Sequence, residues 1–214
     1  RAALAWPKKR PVHVLVLTGG QDFWSNGIHL NVIEAASLAD GSAADESWRN
    51  INAMNDLALE LIGTEQQITV AALGGNVGAG GCFLARAADL VWTRETVILN
   101  PHYKNMGNLY GSEYWTYLLP RRVGEEAAHA IMRDRQPLTA QRAVEIGFTD
   151  AWIPGDVVAF AAEVARRAER LAAEPELSSR LAVKRETRAR DESTKPLAAY
   201  REEELAQMRR NFYG

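Results

Sequence analysis

The feature that most constrains this chain is a glycine-rich segment, residues 74–81, between an apolar run and a short helical pattern. The run Ile68–Leu73 ahead of it is typical of a buried strand, and residues 80–88 predict a short helix. Glycines at such a turn let the backbone approach a ligand closely and leave the N–H groups of the first helical turn free to bind it. A tight turn without a ligand has the same pattern, so the segment alone does not establish a site.

The glycine spacing excludes one common type of binding turn. After Gly78 and Gly80, the third position of a G-x-G-x-x-G dinucleotide turn is taken by Phe83. We therefore expect Gly78, Gly80 and Gly81 to serve a ligand other than a dinucleotide.

Strands and helices alternate in the first half of the chain, as they do in βαβ units. We predict strands at 12–17, 68–73, 90–92 and 96–99, the first of them buried on both faces, and helices at 45–62 and 80–88. A loop spans residues 21–30, and Gly63 is placed to end the long helix. The sheet should be mainly parallel, with right-handed crossovers.

The pattern after residue 112 predicts helices only. Their expected ranges are 112–119, 125–132, 140–146 behind a Thr139 cap, 155–173, 177–191 and 196–212, with Thr194 as a possible cap for the last. Arginine and glutamate are frequent in the last two helices, and we expect them to form solvated faces.

Composition and charge narrow the class of protein. At 214 residues and a net charge of −2, the chain is long enough for one domain and gives no indication of nucleic acid or an anionic membrane as partner. A single cysteine, Cys82, excludes an internal disulfide. No apolar run reaches the length of about 18 residues that a membrane span needs. We therefore expect a cytoplasmic protein, and no residue spacing indicates a metal site.

Several turns together resemble the crotonase (enoyl-CoA hydratase/isomerase) superfamily. The matching segments are L-T-G-G at 17–20, F-W-S-N-G-I at 23–28, the turn at 75–82, A-D-L at 88–90, R-R-V-G at 121–124, L-T-A at 138–140 and A-V-E-I-G-F at 143–148. The resemblance implies an α/β fold, a crotonase-like ββα spiral with a C-terminal helical region. Residues 1–160 would form the core and residues 161–214 the helical region of the same domain.

The resemblance also implies a site for an acyl-CoA thioester. The backbone N–H groups of Ile28 and Gly80 would form an oxyanion hole, and coenzyme A would serve as the acyl carrier. The residues expected along the coenzyme A arm are Trp24, Asn26, Gly27, Gly78 and Gly81.

The departures from the family pattern concern proton transfer. Hydratases of this family use two glutamates, at positions that here hold Phe83 and Tyr103. Phenylalanine transfers no proton, and tyrosine is a donor at neutral pH. A carboxylate is found instead at Glu113, where many relatives have glycine. The alternative roles are a first-turn helical glutamate for Glu113 and a backbone-bonded buried aromatic for Tyr103. His102 could carry a proton, but we expect a structural role for it.

Residues 99–117 more narrowly resemble the C-terminal, crotonase-like part of the hydrogenase maturation factors HypX (HoxX). In that family an N-terminal part that depends on formyltetrahydrofolate passes a formyl group to coenzyme A, and the crotonase-like part releases carbon monoxide for [NiFe]-hydrogenase. The resemblance makes Tyr103 and Glu113 the catalytic pair. It also implies an N-terminal formyl-transfer domain, with tetrahydrofolate only there, and hydrogenase maturation proteins as possible partners.

Two alternatives remain open from the residues alone. One is an acyl-CoA isomerase or hydrolase that uses Glu113 as its base, and the other is a non-catalytic module that binds coenzyme A or assembles with maturation proteins. We further expect residues 1–6 to be the end of a helix, and the chain to be part of a longer protein that supplies the N-terminal strands.

Overall fold

The computed structural model describes residues 12–39, 41–104 and 107–214. The predicted helix end at residues 1–6 lies outside these ranges. The described residues form strands that are short except at the centre of the fold. They are β1 (Val14–Thr18), β2 (Phe23–Ser25), β3 (Ile68–Leu73), β4 (Asn76–Gly78), β5 (Leu90–Arg94), β6 (Ile98–Asn100), β7 (Leu138–Thr139) and β8 (Ala151–Ile153).

These strands form two four-stranded sheets, in the orders β1-β3-β5-β8 and β2-β4-β6-β7. Every pair in the first sheet is parallel, and in the second only β6 and β7 are antiparallel. The prediction of a mainly parallel sheet is thus confirmed. Because β3 and β4 are separated only by Gly74 and Gly75, the glycine-rich segment passes the chain from one sheet to the other.

The burial of the strands differs in one place from the prediction. All of β3 is buried, as expected for a strand with neighbours on both sides. Strand β1 was predicted to be buried on both faces, but its residues are only half-buried up to Leu17, and Thr18 is exposed. Within the described residues β1 has β3 as its only neighbour, so it forms an edge of the sheet.

Helices connect the strands and make up most of the second half. In chain order they are α1 (Leu30–Leu38), α2 (Ala43–Ile62), α3 (Gly80–Arg86), α4 (Trp115–Leu118), α5 (Pro120–Val123), α6 (Glu125–Asp134), α7 (Ala140–Glu145), α8 (Val157–Ala172), α9 (Leu177–Thr194) and α10 (Leu197–Tyr213). The boundary predicted at residue 160 falls inside α8.

Most predicted helices are present, with changes at their ends. Gly63 is the C-terminal cap of α2, and the Thr139 side chain accepts a hydrogen bond from the Arg142 N–H at the start of α7. Thr194 was proposed as a cap for the last helix, but it ends α9 and its hydroxyl donates to the Arg190 carbonyl. The predicted loop at 21–30 contains β2, which pairs with β4, and α1 begins at its end.

The predicted helix at 112–119 begins later, at Trp115. Glu113 and Tyr114 instead have positive φ angles of 58° and 61°. Non-glycine residues rarely adopt this left-handed conformation, which costs roughly 1–2 kcal/mol for each residue. Other contacts must therefore hold the turn in place.

Candidate active site

Five of the predicted site residues line one inner cavity: Asn26, Ile28, Gly80, Tyr103 and Glu113. The turn after β2 contributes Asn26 and Ile28, the start of α3 contributes Gly80, and the segment between β6 and α4 contributes the other two. The side chain of Met208, from α10, closes the cavity on another side. Backbone donors and proton-transfer groups that are far apart in the sequence thus meet in one place.

Tyr103 and Glu113 form a buried hydrogen-bonded pair. The phenol oxygen of Tyr103 lies 2.5 Å from Glu113 Oε2 and 3.1 Å from the Ser112 carbonyl oxygen. Burial raises the pKa of the Glu113 carboxyl group to about 7, although the Tyr103 hydrogen bond lowers it. Burial and the neighbouring Glu113 carboxylate raise the pKa of the Tyr103 hydroxyl well above 10. At neutral pH Tyr103 is therefore a proton donor, and Glu113 can take up or release a proton.

The turn that carries Glu113 is held by Asn55 of α2. The Glu113 N–H donates to Asn55 Oδ1 at 3.1 Å, and Asn55 Nδ2 donates to the Ser112 hydroxyl. Asn55 is fully buried, so these contacts are shielded from water. The alternative in which Glu113 is a first-turn helical glutamate is wrong, because the residue precedes α4 in a left-handed turn.

Two neighbours fix the ring of Tyr103. The Phe83 ring stacks on it at a centroid distance of 5.7 Å and an interplanar angle of 13°. On another side lies Gly111, where an added Cβ would be 2.3 Å from Tyr103 Cε2. The φ of 99° at Gly111 also favours glycine. Phe83, at a family glutamate position, therefore orients the phenol ring.

The two expected oxyanion donors lie where two chain segments come very close. Gly27 has a φ of 86°, and a Cβ on it would be 3.1 Å from Gly80 N. The N–H of Gly80 opens α3, so it has no partner within the helix. Neither this N–H nor that of Ile28 meets an acceptor among the described residues. Both are free to bind a carbonyl oxygen.

An outer cleft adjoins the inner cavity and contains three of the expected coenzyme A contacts, Asn26, Gly27 and Gly78. The other two expected contacts line neither space. Trp24 packs in the core, and its indole N–H donates to the Leu17 carbonyl at 3.4 Å. Gly81 is needed for packing, since a Cβ there would lie 2.1 Å from the Ser25 carbonyl oxygen.

His102 lies in the wall of the same outer cleft. Burial, and the charge of Arg135, lower the pKa of its imidazole, so the ring is neutral at pH 7. Its Nδ1 has no hydrogen-bond partner among the described residues. The imidazole is buried in the cleft wall, and the structural role that the sequence favoured stays a prediction.

A family model described as enoyl-CoA hydratase/isomerase matches residues 4–212. The chain belongs to the enoyl-CoA hydratase/isomerase family. Enzymes of this family generally act on CoA thioesters, which agrees with a cavity that contains two unpaired backbone donors.

Within the family the chain is most informatively compared with hydrogenase maturation factors. It is 53% identical to HoxX from Bradyrhizobium diazoefficiens over 214 residues, which are 100% of this chain and 36% of that protein. The crystal structure of HypX from Aquifex aeolicus in complex with tetrahydrofolic acid has a TM-score of 0.93 at 44% identity, covering 100% of this chain and 37% of that one. The chain thus spans little more than a third of these relatives, and its similarity to HypX is confirmed.

More distant members share the fold. An enoyl-CoA hydratase from Bacillus halodurans matches with a TM-score of 0.81 at 18% identity, covering 100% of this chain and 84% of that one. The predicted α/β crotonase-like fold is therefore confirmed. In this fold Gly80 begins α3, and the Tyr103–Glu113 pair lies in the same cavity as Gly80.

Three residues around the family site were missed by the sequence analysis: Asn55, Glu204 and Met208. Asn55 lies on the apolar face of α2, four residues after Ile51, and a polar residue in that position was a usable signal. Glu204 was expected on a solvated face but is fully buried, because α10 packs against α4 and the turn before it. Nothing in the local pattern of α10 distinguishes Glu204 from its exposed neighbours.

The described part of the chain has neither a cluster of metal ligands nor a helix that could span a membrane. No group of three or more His, Cys, Asp or Glu side chains in residues 12–39, 41–104 and 107–214 could hold a metal ion. Over the same residues, no helix is both long and apolar enough to cross a membrane.

Proposed function

We propose that this chain is a lyase that releases carbon monoxide from formyl-CoA and leaves coenzyme A, for maturation of the [NiFe]-hydrogenase active site. The observation that carries the proposal is the buried Tyr103–Glu113 pair, 2.5 Å apart, beside the unpaired N–H of Gly80. Phe83 occupies one of the glutamate positions that hydration would use, which argues against water addition. The similarity to HoxX, a protein named as a hydrogenase maturation factor, supports the biological role.

The chemistry of a formyl thioester suits this arrangement. Such a thioester has no α-carbon, so it cannot form the enolate that an ordinary acyl-CoA forms. The Glu113 carboxylate would take the formyl hydrogen as a proton, and the carbon would keep the electron pair of that bond. The carbon–sulfur bond then breaks with its electrons going to sulfur, carbon monoxide leaves, and the proton returns to sulfur to give the thiol of coenzyme A.

The remaining groups position the substrate in this scheme. The N–H groups of Ile28 and Gly80 would hold the carbonyl oxygen, and Tyr103 would donate to the formyl group or to the departing sulfur. With a pKa of about 7, Glu113 can both accept and return a proton near neutral pH. The outer cleft beside Asn26 and Gly78 would take the coenzyme A arm.

The context of the reaction is also part of the proposal. The chain covers little more than a third of HoxX and HypX, so we propose that an N-terminal formyl-transfer part supplies formyl-CoA in the complete protein. Tetrahydrofolate would bind only to that part. The product would pass to hydrogenase maturation proteins, and we place the reaction in the cytoplasm.

The test uses the complete protein with formyl-CoA and deoxyhaemoglobin as a trap for carbon monoxide. Glu113→Gln should lower the rate of carbonmonoxyhaemoglobin formation by at least about a hundredfold, because a positioned proton-transfer group contributes about 10²–10⁴. Glu126→Gln makes the same change at an exposed site on α6 and should leave the rate unchanged. Coenzyme A binding, measured by calorimetry, should be similar in all three proteins.

Other outcomes would favour the alternatives. If wild-type protein binds coenzyme A, releases no carbon monoxide and converts longer acyl-CoA substrates in a manner that depends on Glu113, the site is that of an isomerase or hydrolase. If it binds coenzyme A and converts none of these substrates, a binding or assembly module is the better description.

A further inference from the structure

One face of the last helix, α10, forms hydrogen bonds with the loop that carries Glu113. Glu204, Met208 and Asn211 are four and three residues apart, the spacing of a single helix face. Their side chains accept hydrogen bonds from consecutive parts of the loop. The Tyr114 N–H donates to Glu204 Oε2 at 2.9 Å, the Gly111 N–H to Met208 Sδ at 3.2 Å and the Tyr110 N–H to Asn211 Oδ1 at 2.8 Å.

Glu204 makes the largest share of these contacts. Besides Tyr114, its carboxyl group accepts from the Thr116 N–H at 2.9 Å and from the Thr116 hydroxyl at 2.6 Å. The side chain is fully buried. Burial, with a smaller contribution from the Glu113 charge, raises the pKa of Glu204 to about 8. A second carboxyl group thus lies close behind the Tyr103–Glu113 pair.

The contacts of Glu204 fall on the strained part of the loop. Glu113 and Tyr114 have left-handed backbone conformations, and the N–H of Tyr114 is one of the groups that Glu204 binds. Asn55, from α2, holds the N–H of Glu113. A turn of this kind persists only where its surroundings determine it, and here α2 and α10 do so together.

We propose that Glu204 is a positioning residue for Glu113, holding the 113–116 turn so that the Glu113 carboxylate meets Tyr103 and the substrate. The inference rests on the proposed function of Glu113. It makes the C-terminal helix part of the reaction centre, although Glu204 lines neither the inner cavity nor the outer cleft. A displacement of about 1 Å in a reacting group can lower the rate roughly a hundredfold, so loss of the Glu204 hydrogen bonds should lower turnover measurably.

The main experiment compares Glu204→Gln with Glu202→Gln in the complete protein. The comparison is made above about pH 8, where the Glu204 carboxyl group is ionised. There glutamine keeps the shape of Glu204 but replaces one accepting oxygen by a donor, which opposes the N–H groups of the turn. We expect Glu204→Gln to lower the turnover of formyl-CoA by about ten- to a hundredfold, with the dissociation constant of coenzyme A within twofold of wild type. Glu202 is exposed on the same helix, and its variant should behave as wild type.

Two further readouts separate positioning from a general effect on the fold. In a Glu113→Gln background, Glu204→Gln should add no further loss of turnover, because a residue that acts through Glu113 has nothing left to position. Amide hydrogen exchange over residues 110–116 should become several-fold faster in Glu204→Gln and remain unchanged in Glu202→Gln. The exchange measurement requires no catalysis.

Thr116→Val is the second variant, to be used if Glu204→Gln does not fold. It keeps the side-chain shape and removes only the hydroxyl that donates to Glu204, so we expect a smaller loss of turnover at unchanged coenzyme A affinity. Turnover within twofold of wild type in Glu204→Gln would overturn the inference. If wild-type protein itself releases no carbon monoxide, the proposed function has failed, and unchanged exchange over 110–116 would separately overturn the role of Glu204.

Discussion

The replacement of Gly80 by alanine would test whether the Glu113 carboxylate lies against the start of α3. A Cβ atom on Gly80 would lie 2.7 Å from Glu113 Oε1, 2.8 Å from Cδ and 3.0 Å from Oε2. Ordinary contact begins at 3.4 Å, so the carboxylate would have to retreat by about 0.7 Å (3.4 − 2.7). The backbone N–H of residue 80 would remain in place.

Both the rate and the stability should fall. The Glu113 carboxylate is buried and hydrogen-bonded to Tyr103, so forcing it to retreat overpacks the site and costs roughly 1–3 kcal/mol. The same retreat draws Oε2 away from the Tyr103 hydroxyl, to which it is now 2.5 Å. A misplacement approaching 1 Å in a reacting group costs up to about a hundredfold in rate. We therefore expect roughly ten- to a hundredfold lower turnover, together with a loss of stability of about 1–3 kcal/mol.

The assay is carbon monoxide release from formyl-CoA by the complete protein, beside thermal unfolding and coenzyme A binding. Gly74→Ala is the matched control, because a Cβ there would make only an ordinary contact of 3.6 Å with Phe160. Full turnover in Gly80→Ala would refute the assigned geometry, since the added methyl group cannot coexist with Glu113 in its present position. A stability loss without a loss of turnover would refute it equally.

Two further predictions concern the ionisation of Glu113. Because folding raises its pKa from 4.5 to about 7, its contribution to stability is fully present below pH 4.5 and is lost as the pH rises through 7. Glu113→Gln should therefore be more stable than wild type by about 3 kcal/mol above about pH 8 and similar to it at low pH. The measurement is the unfolding midpoint of both proteins across pH. A difference in stability that does not change with pH would contradict the buried position of Glu113. Tyr103→Phe removes the hydrogen bond that lowers the Glu113 pKa. The acid side of the pH profile for carbon monoxide release should therefore move to higher pH. An unchanged profile would show that the two groups do not interact.

The elements that sequence patterns predicted well are those whose pattern is contained within one segment of the chain. The run Ile68–Leu73 is apolar except for Thr69 and forms the fully buried strand β3. The helical spacing between residues 45 and 62 corresponds to α2, which ends at Gly63 as expected. In both cases the residues that determine the element lie within it or at its end, so a single segment contains the information.

The parts that were mispredicted depend on contacts between distant segments. Residues 112–114 have helix-forming neighbours, yet Glu113 and Tyr114 take left-handed conformations because Asn55 and Glu204 bind their N–H groups. Strand β2 is only three residues long and exists through its pairing with β4. The family resemblance predicted Tyr103 and Glu113 as site residues, and both line the inner cavity, but the resemblance could not show which residues hold them.

The contacts around Glu113 argue that the site is an interdependent set of residues. Gly80 leaves the space that the Glu113 carboxylate fills, Gly111 leaves the space beside the Tyr103 ring, and Phe83 stacks on that ring. A glutamate restored at position 83 would place a carboxyl group in a fully buried apolar position and remove the ring that orients Tyr103. A glutamate at position 83 alone should therefore not produce hydratase chemistry, because the remaining residues are arranged around the Glu113 carboxylate.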